Sequence, residues 1–347
     1  MVKGRSRVVG AMMLAAVLAL PACSGDTKAA PKIQTTARPG VAPVPPAKGA
    51  YFGAWVDPDG ARPSPSASPS PAAADPDRAQ VAAVTEFERD MGRRLDIVAA
   101  YRSWKQRFPR DSDRELVSGG RHLLLTWSGT DTREIASGEH DAHIRQRARA
   151  IRELDKPVFL RWQPGMDAEK VRERIHSPQD FTAAWRRLRE IFRQERADNV
   201  AWVWSPTAAG FRSGAATAYY PGDDQVDWIA ADIYPGGTYA YRDFSEAARF
   251  FMEWAREHPK PIMIPEFGVP RAYGKRRAEW LRKTATYLQD PQVKAVVYYH
   301  SDDDAEDAGD RRHMYALTGD RPAASALREM ATTPFFNPRS LPVTTGR

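Results

Sequence analysis

Short apolar runs alternate with longer amphipathic stretches along most of this chain. The short runs cover 51–56, 95–101, 122–127, 157–162, 200–205, 227–234, 261–267 and 293–300. They are too continuous for strands with one face in water, and so predict a parallel sheet buried on both faces. Between several of them, apolar residues recur every three or four positions, over 80–91, 142–154, 181–196, 244–257 and 276–289, with 323–331 closing the series. Phe181, Ala184, Trp185, Leu188 and Phe192 form one such stripe, the pattern of a helix that lays one face on a sheet. Eight strands alternating with helices over roughly 280 residues have the size and rhythm of a single-domain (β/α)8 TIM barrel. A doubly wound open sheet is the main alternative, but no glycine-rich phosphate fingerprint follows any strand.

The ends of the chain break this rhythm. Lys3, Arg5 and Arg7 precede an apolar run over 8–20, which is too short to span a bilayer as a stable helix and reads as a signal peptide covering 1–22. The run closes on Leu20-Pro21-Ala22-Cys23. This resembles the lipobox of bacterial lipoproteins, which implies that Cys23 becomes a lipid-bearing first residue. Cys23 is the only cysteine, so no intramolecular disulfide framework is expected. Residues 23–49 are rich in Pro and Ala and predict a flexible linker. A Pro/Ser-rich loop insertion over 58–77 follows the first strand; the barrel takes 50–335, and 336–347 is expected to be a loose tail. Together these segments predict an exported protein held at the extracytoplasmic face of the cell membrane.

Charge adds little to this picture. The net charge is +7, and because Lys3, Arg5 and Arg7 supply three of those charges, the chain from Cys23 onward carries +4. Most arginines interleave with acids on helical faces, as in Arg186-Arg187-Leu188-Arg189-Glu190, which argues against a nucleic-acid footprint. His140 and His143 have no third ligand in sequence, and the acidic stretch Asp302-Asp303-Asp304-Ala305-Glu306-Asp307 lacks the glycine and closing glutamate of an EF-hand. No metal or other cofactor is expected.

Candidate chemistry gathers at the C-terminal ends of the strands, where barrel enzymes build their sites. Glu266 stands out, delivered by Pro261-Ile262-Met263-Ile264-Pro265-Glu266-Phe267-Gly268. Around it the strand ends supply Trp55, Tyr101, Arg102, Trp104, Trp127, Arg161, Gln163, Trp204, Asp227, Asp232, Tyr234, Tyr298, Tyr299 and His300. Aromatic faces on which pyranose rings can stack, beside carboxylates and amides that bond hydroxyls, point to a polysaccharide or oligosaccharide partner.

Several motifs then resemble glycoside hydrolase family 26, best known for β-mannanases. They are Tyr51-Phe52-Gly53-Ala54-Trp55, Pro157-Val158-Phe159-Leu160-Arg161, Asn199-Val200-Ala201-Trp202-Val203-Trp204-Ser205-Pro206 and Tyr219-Tyr220-Pro221-Gly222-Asp223-Asp224 with Val226-Asp227. Asp232-Ile233-Tyr234 and Pro265-Glu266-Phe267-Gly268 complete the series. The resemblance implies a retaining mechanism with Glu266 as nucleophile, Tyr234 bonded to it, and Asp227 as a substrate-site aspartate. The strand-end positions themselves predict a substrate-binding cleft to which Arg161, Trp104, Trp127, Trp204, Tyr298 and His300 contribute.

The fourth strand departs from that pattern. The family carries Arg-Pro-x-His-Glu-Met-Asn, its glutamate being the general acid/base. This chain reads Arg161-Trp162-Gln163-Pro164-Gly165-Met166-Asp167, so Gly165 occupies the acid/base position. Glycine transfers no proton, and losing a positioned acid costs about 10²–10⁴-fold. Three readings remain open. Asp167 or Glu169 substitutes for the acid; a carboxylate from elsewhere, such as the 302–307 loop, reaches over the mouth; or the protein binds β-linked glycans without cutting them.

Overall fold

The computed structural model describes residue 1 and residues 32–58, 75–235, 241–307 and 309–344. Cys23, the rest of the expected signal peptide and most of the 58–77 insertion lie outside the described residues. Eight parallel strands close into a barrel in chain order: β1 (Tyr51–Val56), β2 (Ile97–Arg102), β3 (His122–Trp127), β4 (Val158–Trp162), β5 (Val200–Trp204), β6 (Trp228–Ala230), β7 (Ile262–Phe267) and β8 (Val293–His300). Pairing of β1 with β8, from Tyr51–Ala295 to Val56–His300, closes the ring. The helices α1 (Pro76–Met91), α2 (Asp111–Ser118), α3 (Thr132–Ser137), α4 (Asp141–Leu154), α5 (Arg172–Ile175) and α6 (Pro178–Gln194) lie between successive strands. So do α7 (Ala208–Ser213), α8 (Phe244–Ala255) and α9 (Arg277–Tyr287), while α10 (Arg321–Thr332) follows β8. The expected TIM barrel is the observed fold.

α6 shows how the sequence builds this layer. The Ser177 hydroxyl accepts from the Asp180 amide, and Pro178 opens the first turn, where no amide donor is needed. Phe181, Ala184, Trp185, Leu188 and Phe192 are all buried, each large side chain contributing about 1.5–3 kcal/mol. Arg196, at φ 56°, carries the chain out of the helix toward β5.

Side chains alternate between the barrel interior and the helix layer. Tyr51, Ile97, Ala99, Leu124, Phe159, Ala201, Val203, Trp228, Ala230, Met263, Ala295 and Val297 fill the interior as one buried cluster. Continuing that alternation to the C-terminal rim brings Trp55, Tyr101, Thr126, Arg161, Asp232 and Tyr299 to the mouth. β7 departs from it. Against β8, Ile264 pairs with Val296 and Phe267 with Tyr298, so β7 carries one extra residue. This bulge lets Ile264 and Phe267 both face the helices and turns the intervening Glu266 inward.

The two expected loose ends pack against the barrel. In the 32–49 segment, the Gln34 amide donates to Pro259 O (2.6 Å), Arg38 pairs with Asp198 (2.8 Å), and Ala37 and Ala42 join the interior cluster from below. Thus the part of the linker that is described covers the N-terminal ends of the strands. At the other terminus Phe336 is fully buried and its carbonyl accepts from Arg93, while the Thr344 amide donates to Gly92 O (2.7 Å). Residues 336–344 are therefore docked and not loose.

Asp227 belongs to this base. It lies immediately before β6, where its carboxylate accepts from the amides of Trp202 (2.9 Å) and Thr36 (3.0 Å) and lies 3.6 Å from Arg189. The expectation of a substrate-site aspartate fails here because Asp227 stands at the N-terminal end of the strand, opposite the mouth. Replacing Asp227 with Ala is expected to cost about 2–3 kcal/mol, as charged hydrogen bonds are lost, and to leave glycan binding unchanged. Urea denaturation beside calorimetry checks both, and weakened binding in a folded variant would restore a site role.

Candidate active site

Arg161, on the inner face of β4, has no exposed side-chain surface. Its guanidinium bonds Glu266 Oε1 through Nη1 and Asp232 Oδ2 through Nη2. Two hydroxyls complete the cradle of Glu266: Tyr101 donates to Oε1 (2.8 Å) and Tyr234 to Oε2 (3.1 Å). Burial, and the charge of Glu266 next, push both tyrosine pKa values well above the ordinary value, so both act as donors. Oε1 therefore carries two donors and Oε2 one, which leaves Oε2 the freer oxygen. Glu266 keeps 15% of its side-chain surface exposed, and Asp232 keeps 23%.

The charges around Arg161 do not simply cancel. One buried cation faces two carboxylates, and a doubly ionised pair would leave a net negative charge in a desolvated site. Burial raises the Asp232 pKa to about 8, the charge of Glu266 adding to the effect against the pull of Arg161. Arg161 thus pairs with both carboxyls, and Asp232 is pushed toward its protonated form.

Further polar atoms line the same mouth. Thr126 Oγ1, Ser205 Oγ, Asp232 Oδ1 and Arg161 Nε are buried without a hydrogen-bond partner among the described residues. Leaving such groups unpaired is costly, and all four belong to rim positions around β4. The edge of Trp55 meets Tyr101 (5.0 Å between ring centroids), and Tyr299 stands perpendicular to both Tyr101 and Tyr234 (6.4 and 6.1 Å). From Asp232 and Tyr234 a cavity of about 1090 Å³ extends past Thr207 to Arg212 and Phe250.

Several residues expected in the cleft lie elsewhere. Trp127 is fully buried and stacks on Trp104 (4.5 Å, 4° between planes), whose carbonyl accepts from Trp127 and contacts His143. Trp204 packs under helices against Trp254 and Tyr220, and its indole donates to Tyr219 O (3.1 Å). Tyr298 is buried in the helix layer, donating to Tyr315 O (2.8 Å). His300 packs on Phe87 in that layer; burial, then the charges of Arg277 and Arg271, push its pKa down to about 4. These are outward positions of their strands, one residue out of step with the mouth. Tyr101, Asp232 and Tyr299, named with them at the strand ends, take the inward positions.

The substitute acids on the β4 loop are also engaged elsewhere. Gly165 has φ 62°, the left-handed region that favours glycine, and its amide donates to Ser205 O (2.9 Å). Asp167 accepts from the Thr207 amide (2.8 Å) and hydroxyl (2.6 Å). Glu169 is exposed and pairs with Arg172 (2.6 Å). None of the three contacts Glu266.

A closed eight-stranded barrel with a clamped glutamate at the end of β7 places its candidate chemistry on the face where TIM barrels build their sites. Residues 153–305 match the model of glycosyl hydrolase family 26. Endoglucanase H of Acetivibrio thermocellus is 27% identical over 278 residues, covering 74% of this chain and 28% of its own length. β-1,3-Xylanase TXYA of a Vibrio species is 28% identical over 205 residues, covering 51% of this chain and 42% of its own. This chain thus spans less than half the length of either relative. The solved structure of a β-mannanase from Bacteroides ovatus superposes with a TM-score of 0.59 at 16% identity, covering 83% of this chain and 90% of that one, which shows a shared fold. Residues 153–305 are thus similar to glycosyl hydrolase family 26.

The raised Asp232 pKa has a thermodynamic consequence. From about pH 4 to 8 the folded protein keeps a proton that the unfolded chain releases. Stability therefore falls as pH rises through that window. Asp232→Asn is expected to remove this part of the decline, as measured by denaturant midpoints at pH 5 and pH 8.5. An unaltered decline in the variant would mean that Asp232 is ionised throughout.

Proposed function

We propose that this barrel binds β-linked polysaccharide of mannan, glucan or xylan type and cleaves it by a retaining route with Glu266 as nucleophile. The observation that carries this reading is the cradle itself: Arg161, Tyr101 and Tyr234 fix Glu266 at the mouth while Oε2 keeps the fewer bonds. Nucleophilic attack needs a carboxylate fixed in this manner. The activities for which the similar proteins are named, an endoglucanase, a β-1,3-xylanase and a β-mannanase, support β-linked glycans as the substrate class.

The proposed first step joins Glu266 Oε2 to the anomeric carbon. The bond from that carbon to the leaving oxygen breaks, its electron pair going to the oxygen. Ester formation removes the negative charge of Glu266, and Asp232 can then release its proton to solvent and keep Arg161 paired, while the departing oxygen takes a proton from solvent. Water attack on the same carbon frees the sugar and restores the Glu266 carboxylate, and the proton that water loses returns to Asp232. Export and lipid attachment at Cys23 belong to the same proposal and rest on the sequence of residues 1–23.

A second reading, binding without cleavage, is favoured by one observation: Gly165, Asp167 and Glu169 supply no acid beside Glu266. Trapping separates the two. Activated 2-deoxy-2-fluoroglycosyl fluorides of mannose, glucose and xylose need no proton donor to leave. At least one is expected to add its glycosyl mass to the peptide containing Glu266, and Glu266→Gln is expected to abolish the adduct while remaining folded. Oligosaccharide binding by calorimetry, with no adduct from any donor, would establish the binding reading instead.

A further inference from the structure

We propose that the cavity running from the barrel mouth toward α7 and α8 is a subsite for an acidic sugar, a uronic acid unit of the glycan held at Glu266. The proposal rests on the glycan-binding reading above and narrows its substrate class to carboxylate-bearing chains.

The cavity of about 1090 Å³ starts at the site itself, because Asp232 and Tyr234 form one end of its wall. Beyond them the wall carries three arginines: Arg212 in the last turn of α7, Arg242 just before α8, and Arg249 within α8. None of these three side chains has a hydrogen bond or ion pair among the described residues. Elsewhere in the helix layer arginines are matched by acids, as Arg187 is by Asp141 (2.7 Å), Arg193 by Glu190 (2.6 Å) and Arg282 by Glu329 (2.7 Å). An arginine with no acid beside it keeps its N–H donors for a ligand. Glu246 lines the same stretch of wall, but it is exposed and pairs with none of the three. Cations therefore outnumber carboxylates there, and a concave wall concentrates their field.

Two features fit a sugar acid better than a free inorganic anion. The volume lies at the upper end of the roughly 300–1,000 Å³ common for ligand sites, room for sugar units and not for one small ion. Half-buried Phe250 and Tyr287 add ring surface to the wall, against which a pyranose can rest. The planar fork of a guanidinium then matches the two oxygens of a carboxylate.

The wall is also held in place. The Thr207 hydroxyl caps α7 by accepting from the Gly210 amide (2.9 Å), and Asp167 fixes Thr207 through its amide and hydroxyl (2.8 and 2.6 Å). Asp167, which supplies no acid to Glu266, thus ties the loop after β4 to the helix that carries Arg212. The carbonyl of Arg242 accepts from Tyr273 (3.1 Å) and Trp280 (3.0 Å). Arg249 rests its guanidinium on the ring of Phe250 (4.2 Å), a contact that needs no acid partner. Backbone anchoring of this kind lowers the entropy lost when a ligand binds.

The test is calorimetry on the full chain with β-linked manno-, gluco- and xylo-oligosaccharides in three forms: neutral, bearing one glucuronic acid unit, and bearing the methyl ester of that unit. For at least one backbone the acid is expected to bind about tenfold more tightly than its ester, the scale of one charged hydrogen bond. The preference should shrink in 1 M salt, where the Debye length falls to about 3 Å. In the double variant Arg212→Gln with Arg249→Gln, checked for folding by circular dichroism, acid and ester should bind alike. Changing both to Glu should reverse the preference, a result that loss of packing alone would not give. Equal binding of acid and ester by the unmodified protein would overturn the subsite while the glycan reading stands. A preference for the acid that survives in both double variants would overturn it too, as would tighter binding of a sulfated oligosaccharide than of the uronate. Binding of no oligosaccharide in any form would remove the glycan reading, and the subsite with it.

Discussion

One guanidinium without exposed surface organises the mouth of this barrel. Desolvating a cation costs several kcal/mol unless anions and hydrogen bonds replace its water. Arg161 meets that demand with Glu266 on one side and Asp232 on the other. Because the site is desolvated, the second carboxyl is pushed toward its protonated form, which raises the Asp232 pKa. The position of Glu266 follows from the same pairing. Three chain segments converge on it, since Tyr101, Arg161 and Tyr234 reach it from β2, β4 and the segment after β6.

The pairing depends on a local irregularity in β7. Strict alternation from the inward Met263 would turn Pro265 inward and Glu266 outward. Pro265 has no amide hydrogen to give to the ladder, and the register slip falls between Ile264 and Phe267, around it. The extra residue changes the parity and aims Glu266 at Arg161. Glu266 was legible in the sequence because a lone carboxylate interrupted an apolar run. Its inward direction was not, since periodicity alone places it on the other face.

Parity also separates what the sequence revealed of the fold from what it concealed of the site. The continuous apolar runs gave β1, β3 and β8 with the bounds observed, and the three- and four-residue stripes gave the helices that cover them. That same continuity hides which residues face inward, because strands buried on both faces carry apolar side chains at every position. In β8, Tyr298, Tyr299 and His300 look equivalent in sequence, yet only Tyr299 meets the tyrosines beside Glu266. Trp127 and Trp204 were misplaced for the same reason. The run over 227–234 concealed a second distinction, since the strand within it is only Trp228–Ala230. Five residues separate Asp227 from Asp232, about 17 Å of extended chain, and that length divides the base of the barrel from its mouth. The rule that function gathers at strand C-termini favours Asp232, and the alternation with Trp228 and Ala230 already pointed it inward.

The loop after β4 is a settled structure and not merely a site with a residue deleted. Its left-handed turn at Gly165 is tied to Ser205 O, and Asp167 caps Thr207 with two hydrogen bonds. A glutamate at position 165 would have to adopt a backbone conformation costing roughly 1–2 kcal/mol for a residue with a Cβ, and its Cβ would already lie 3.4 Å from Thr207. Restoring a carboxyl there therefore competes with the local fold. The loop after β8 faces a different demand, because a strand end is rigid through its ladder whereas a loop must be fixed by side chains. Ser301, Asp57, Arg271 and the Ala316 amide provide that fixation. The apolar pattern that predicts a barrel contains no trace of such contacts, for they join β1, β8 and the segments around residues 271 and 316 only after the barrel has closed. The loops at this mouth are thus shaped by contacts of tertiary structure and not by the motif of a single strand.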